Sequence, residues 1–181
     1  MQSYDAQNWQ AYNSEYISIS FSDGIATAEW LQNRTGYTTS IRPKVGAYQE
    51  LGDIIYVSYM IKPFTDGLIW GAEFGNNNQR TFIESAEANK WHRISGMAAC
   101  KGTRANYLYV SYCRTNPNTY DVTGMVCQTK CPIQVNLTQM FGAGNEPATP
   151  EEFEHLCAIN GVDLTKPQAY DEGTERSWII N

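Results

Sequence analysis

Short runs in which every second residue is apolar recur along this chain, and the clearest occupies residues 54–62. There Ile55, Val57, Tyr59 and Ile61 fall on one side of an extended segment and Tyr56, Ser58, Met60 and Lys62 on the other, until Pro63 closes it. Residues 68–74 repeat the period, with Leu68, Trp70, Ala72 and Phe74 opposed to Ile69, Gly71 and Glu73. Further strand-like runs at 17–21, 25–31, 37–41, 79–83, 91–98, 105–113 and 121–128 are divided by turns such as Ser-Asp-Gly and Asn-Arg-Thr-Gly. Many short strands, with no helical period before Thr149, predict an all-β fold: an antiparallel jelly-roll β-sandwich.

The period changes once, near the end. Ile133, Val135 and Leu137 alternate with Gln134 and Asn136 as a strand would, and Gly142 and Gly144 then give the backbone freedom to turn sharply. One short C-terminal helix follows. Thr149 is a suitable N-cap, Pro150 suits the first helical position, and Glu152 completes a capping box. Phe153, Leu156 and Cys157 share one helical face, and Gly161 ends it. The chain therefore divides into an N-terminal arm or linker at 1–15, a sandwich at 16–147, a helix at 148–161 and a tail at 162–181. The Gly-rich turn itself reads most simply as a connector.

Two resemblances rest on particular motifs. The run LTQMFGAGNEP at residues 137–147, with its acidic helix, resembles a "DLTxMFGAGNEP" signature near the end of β-sandwich modules in tail and adhesion proteins of bacteriophages and prophages; Asn136 stands where that signature has Asp. In the strand region, IIYVSYMIKP and NKWHRISG are similar to the "YTVSFWVK" and "W.RVSG" strands of galactose-binding-like and cellulose-binding jelly rolls, the fold of carbohydrate-binding modules. Together they imply noncovalent recognition of a bacterial cell-surface glycan by a virion tail or fibre module. Other virion or fibre subunits would be its partners, often in a homotrimer assembled in a bacterial cytoplasm. A structural virion or fibre scaffold without a glycan site is the competing implication. Modules of this kind often hold a structural calcium, for which Asp5, Glu15 and Asp171 supply oxygen atoms without an EF-hand-like loop.

Composition narrows the classes. With 181 residues, 42% of them hydrophobic, the chain is long enough for one well-buried core. A formal net charge of -6 and scattered basic residues argue against nucleic-acid binding. No apolar run is long enough to span a bilayer as a helix, and the N-terminus lacks a signal-peptide core. Cys100, Cys113, Cys127, Cys131 and Cys157 form an odd set without CxxC spacing, which points to reduced thiols and away from zinc. Cys127 and Cys131, four apart in a strand, would share a face yet lie too far apart for a relaxed disulfide.

Sugar binding needs aromatic faces for stacking and polar groups for hydroxyls. Trp30, Arg34 and Tyr37 lie around one turn, and Glu73, Asn77 and Arg80 around another. Tyr107, Tyr109 and Ser111 alternate with Leu108, Val110 and Tyr112, making Tyr107 and Tyr109 the preferred stacking pair. Every such aromatic has core packing as its competing role; Trp70 and Trp91, in phase with apolar neighbours, are read as core. A glycan hydrolase would need two placed carboxylates, and Glu73, Glu84 and Glu87 have no marking context. His92 and His155 sit in no HxH or HExxH pattern, so catalysis is not expected.

Overall fold

A computed structural model describes residues 9–32, 40–44, 47–66, 69–74, 79–83, 86–102, 104–106, 109–114 and 123–166. The described strands are β1 (Trp9–Tyr12), β2 (Ile17–Ser22), β3 (Ile25–Trp30), β4 (Ser40–Pro43), β5 (Ala47–Gln49) and β6 (Ile54–Pro63). They continue as β7 (Ile69–Phe74), β8 (Gln79–Ile83), β9 (His92–Ala99), β10 (Arg104–Asn106), β11 (Tyr109–Arg114) and β12 (Val126–Asn136). Two helices follow, α1 (Leu137–Phe141) and α2 (Pro150–Ile159). One five-stranded sheet runs β1-β4-β11-β7-β8, a second runs β2-β3-β12-β6-β9, and β10 pairs with β5; every pairing is antiparallel.

The expected sandwich is present, and the alternation along β6 builds it. Ile55, Val57, Tyr59 and Ile61 are buried in the inter-sheet core with Ile17, Ala26, Ala28, Trp30 and Ile94 of the second sheet and Trp9, Ile41 and Ala72 of the first. The Tyr59 hydroxyl donates to the Gly71 carbonyl, joining the two sheets through the core. Tyr59→Phe should therefore leave a backbone carbonyl short of a donor and lower stability by about 1–3 kcal/mol. Urea unfolding reads this, with an unchanged transition slope expected for an intact fold.

The opposite side of β6 is also covered, because the helices fold over it. Tyr56, Ile133, Leu137, Phe153, Cys157 and Leu164 form a second apolar cluster outside the sandwich proper. The Tyr56 and Phe153 rings lie 4.7 Å apart between centroids, and Phe141 meets Phe153 edge-on at 6.3 Å. At its margin the Tyr56 hydroxyl accepts from Arg93 at 2.7 Å and donates to Glu154 Oε1 at 2.9 Å, while Arg93 and Glu154 pair at 3.1 Å. Burial, above all, holds the Tyr56 phenol above its ordinary pKa and pushes the Cys157 thiol up to about 11.

The Gly-rich turn is the connector between the helices. Asn136 caps α1 by accepting from Gln139 N, and its Nδ2 donates to Asp53 at 2.6 Å. Glu146 folds back to accept from Thr138 Oγ1 at 2.6 Å and Gly144 N at 2.7 Å, and the Thr138 bond comes first in holding its carboxyl below the usual range. Thr138 in turn accepts from Ile54 N at 2.9 Å, tying the turn to the start of β6. Thr149 caps α2 as expected, but the Glu152 side chain returns to Ala148 N, one residue before the N-cap. At the far end Gly161 has φ 75°, and bonds from Gly161 N to Ala158 O and Val162 N to Cys157 O close a Schellman turn.

Several expectations change. Residues 9–12, read as part of an arm, are an edge strand whose Trp9 is buried, and the tail expected from 162 begins inside the second cluster with Val162 and Leu164. The single C-terminal helix is preceded by α1, whose first residue, Leu137, is the last of the alternation that reads as strand. The segments at 121–128 and 133–137 belong in part to one strand, β12, whose register shifts between Lys130 and Ile133. That bulge accommodates Pro132, which has no N–H for a central-strand ladder, and puts Cys131 at φ 52°. Cys127 consequently lies in the inter-sheet core, whereas Cys131 donates to the Thr165 carbonyl beyond α2. Cys100, Cys127, Cys131 and Cys157 are free thiols; Cys113 has no described side chain.

Candidate functional site

Register places most of the chemistry on the outward side of the β1-β4-β11-β7-β8 sheet. Ile41 and Ala72 are core residues, so their strand neighbours Arg42 and Glu73 occupy positions on the opposite face. Gln10 pairs with Arg42, Tyr109 with Glu73, and Glu73 with Arg80, while Val110 opposite Ile41 sets Tyr109 beside Arg42. The result is a row of polar and aromatic positions, Gln10, Arg42, Tyr109, Glu73 and Arg80, crossing all five strands. Three expected site residues, Glu73, Arg80 and Tyr109, thus meet by register although they are scattered along the chain.

The neighbouring row adds Tyr12 opposite Ser40, and Tyr112 opposite Gly71 and Phe82. Tyr112, read from alternation as core-facing, shifts to this face because the β11 register slips between Tyr109 and Tyr112. Arg42 lies over the exposed Tyr12 ring, 4.8 Å from its centroid, a cation–π contact that orders both side chains. Both described helices pack on the other sheet. A face with aromatic positions beside guanidinium, carboxylate and amide groups can stack a pyranose ring and bond its hydroxyls.

Trp30 has to be removed from the site. It is 2% exposed, pairs with the buried Ile17, and belongs to the inner face of the other sheet. Its period matches Ala26 and Ala28, which fixes it as core. Arg34, Tyr37, Asn77 and Tyr107 lie outside the described residues, as do Glu84, Asp5 and Asp171. Trp91 corrects in the other direction: it is half-buried beneath Lys130, whose Nζ stands 4.3 Å from the ring centroid, and joins neither apolar cluster. Gln10, Tyr12 and Arg42 escaped sequence reasoning, although Trp9 and Ala11 alternating with Gln10 and Tyr12 held the signal.

Other groups lie elsewhere. Glu87 is exposed and pairs with Lys90 at 2.8 Å, and its carbonyl contacts His92 Nε2 at 2.8 Å. Among the described residues no three His, Cys, Asp or Glu side chains converge as metal ligands. A hollow of about 520 Å³ opens between β1 and β2 beside Trp9, Ile17 and Phe21, and another of about 350 Å³ beside α2 is lined by Arg93, Glu154 and Leu164. The first reaches the polar row only at its edge, through Gln10, and the second lies beside the helices on the other sheet.

Comparison with solved structures gives the same architecture. The modules of endo-1,4-β-D-xylanase 10B from Clostridium thermocellum, solved with xylohexaose, superpose with a TM-score of 0.50 at 12% identity; the match covers 74% of this chain and 27% of that one. The C-terminal family 22 carbohydrate binding module of the same organism's xylanase gives 0.49 at 11% identity, over 79% of this chain and 91% of that one. The N-terminal cellulose-binding domain of β-1,4-glucanase C from Cellulomonas fimi gives 0.48 at 12%, over 74% and 91%. No family model matches the sequence, and no curated protein does.

Proposed function

We propose that this chain is a noncovalent glycan-recognition module whose ligand lies across the β1-β4-β11-β7-β8 face. The observation behind the reading is the register that brings Arg42, Tyr109, Glu73 and Arg80 into one row on a β-sandwich. The likeness in fold to sugar-binding modules supports it. An open sheet face buries little area and sugars are well hydrated, so each site would bind weakly. Repetition on a fibre would supply avidity through effective concentration. The setting we propose is a phage or prophage tail or fibre that attaches to a bacterial surface polysaccharide, on the strength of the LTQMFGAGNEP segment.

A glycan array followed by calorimetry on the best soluble oligosaccharide tests the function. Saturable binding without release of new reducing ends is the expected result. Binding to no glycan on the array would favour the scaffold alternative, and new reducing ends would make the chain a hydrolase.

A further inference from the structure

The helices cover only part of the outer face of the second sheet. At its other end, Lys62 and Gln128 face each other on β6 and β12, Gln128 faces Thr27 on β3, and Thr27 faces Ser20 on β2. Lys130 is the diagonal neighbour of Lys62, two residues along β12. These positions alternate with buried Ile61, Cys127, Thr129, Ala26 and Ala28, so they point outward. This patch is flat, polar and, among the described residues, uncovered.

Its two ammonium groups are held by rings and not by carboxylates. Lys90 and Lys166 are paired with Glu87 and Asp163, whereas Lys62 and Lys130 have no carboxylate partner among the described residues. Each stands instead over an aromatic ring, Lys130 at 4.3 Å from the Trp91 centroid and Lys62 at 5.3 Å from that of Phe64. Ring contact limits the motion of a long side chain without neutralising its charge. Arg93, opposite Met60, is already paired with Glu154, and the outward Glu29 sits two strands from Lys62. A chain of net charge -6 therefore presents a local pair of ordered, uncompensated cations beside hydroxyl and amide groups.

We propose that this patch is a second ligand surface, which takes an acidic polysaccharide with its carboxylates on Lys62 and Lys130 and its hydroxyls on Gln128 and Thr27. A lipid surface fits less well, because the rings here, Trp91 and Phe64, each carry a lysine ammonium over them and Met60 is only partly exposed. The surface lies on the opposite sheet from the neutral-sugar row and does not depend on that assignment. The test uses polygalacturonate as probe, by affinity electrophoresis and calorimetry at low and high salt. The K62Q/K130Q protein should bind about tenfold more weakly, and the wild-type affinity should fall with ionic strength. A K90Q/K166Q protein has the same change in net charge and should bind like wild type. The proposal is overturned if wild type does not bind, if both double variants weaken equally, or if K62Q/K130Q binds unchanged.

Discussion

Phe153→Ala should destabilise the protein by about 3–5 kcal/mol, the cost of emptying a large aromatic site from a packed cluster. Phe153 is 2% exposed and touches both Tyr56 and Phe141, so it is the residue through which α2 grips the sheet. Truncation leaves a void between helix and β6, and helix propensity alone cannot hold a ten-residue helix in place. For a chain of this size the loss corresponds to a fall in melting temperature of about 10 °C. Calorimetry and urea titration measure it. A change below about 1 kcal/mol would mean that the helices are an appendage and that β6 folds without its cover.

The second large effect is on binding. Tyr109→Ala should weaken binding of the best neutral oligosaccharide about tenfold, as loss of a stacking ring does, and the added Arg42→Ala about tenfold again. Both positions lie on the outward face, so far-UV circular dichroism and melting temperature should stay near wild type. The K62Q/K130Q protein should bind the neutral sugar normally, since its changes lie on the other sheet. Unchanged affinity in the Tyr109 and Arg42 double variant would remove the row as the ligand face while leaving the fold assignment intact.

Strand alternation made the sandwich readable because one face of each strand meets a core. Ile55, Val57, Tyr59 and Ile61 lie where the period puts them, and residues 79–83 match β8 in full. The same rule fails at two bulges. Cys131 and Tyr112 stand just where one extra residue reverses the alternation, and nothing local in either sequence announces the slip apart from Pro132. Amphipathic aromatics were the other difficulty. Trp30 reads as a site candidate and Trp91 as core, yet the first fills the core and the second lies under a lysine, a choice made by strand pairing across the sheet. The site was legible as residue types but not as a row, because Glu73, Arg80 and Tyr109 become neighbours only through register.

An amide at position 136 is matched to its neighbour, and the contact to Asp53 gives the reason. A carboxylate at 136 would set an acceptor against the Asp53 carboxylate across 2.6 Å, with no N–H between them. An amide resolves this with one group, its nitrogen turned to Asp53 and its oxygen to the amide of Gln139. The two positions are therefore bound as a pair: an acid at one requires a hydrogen-bond donor at the other.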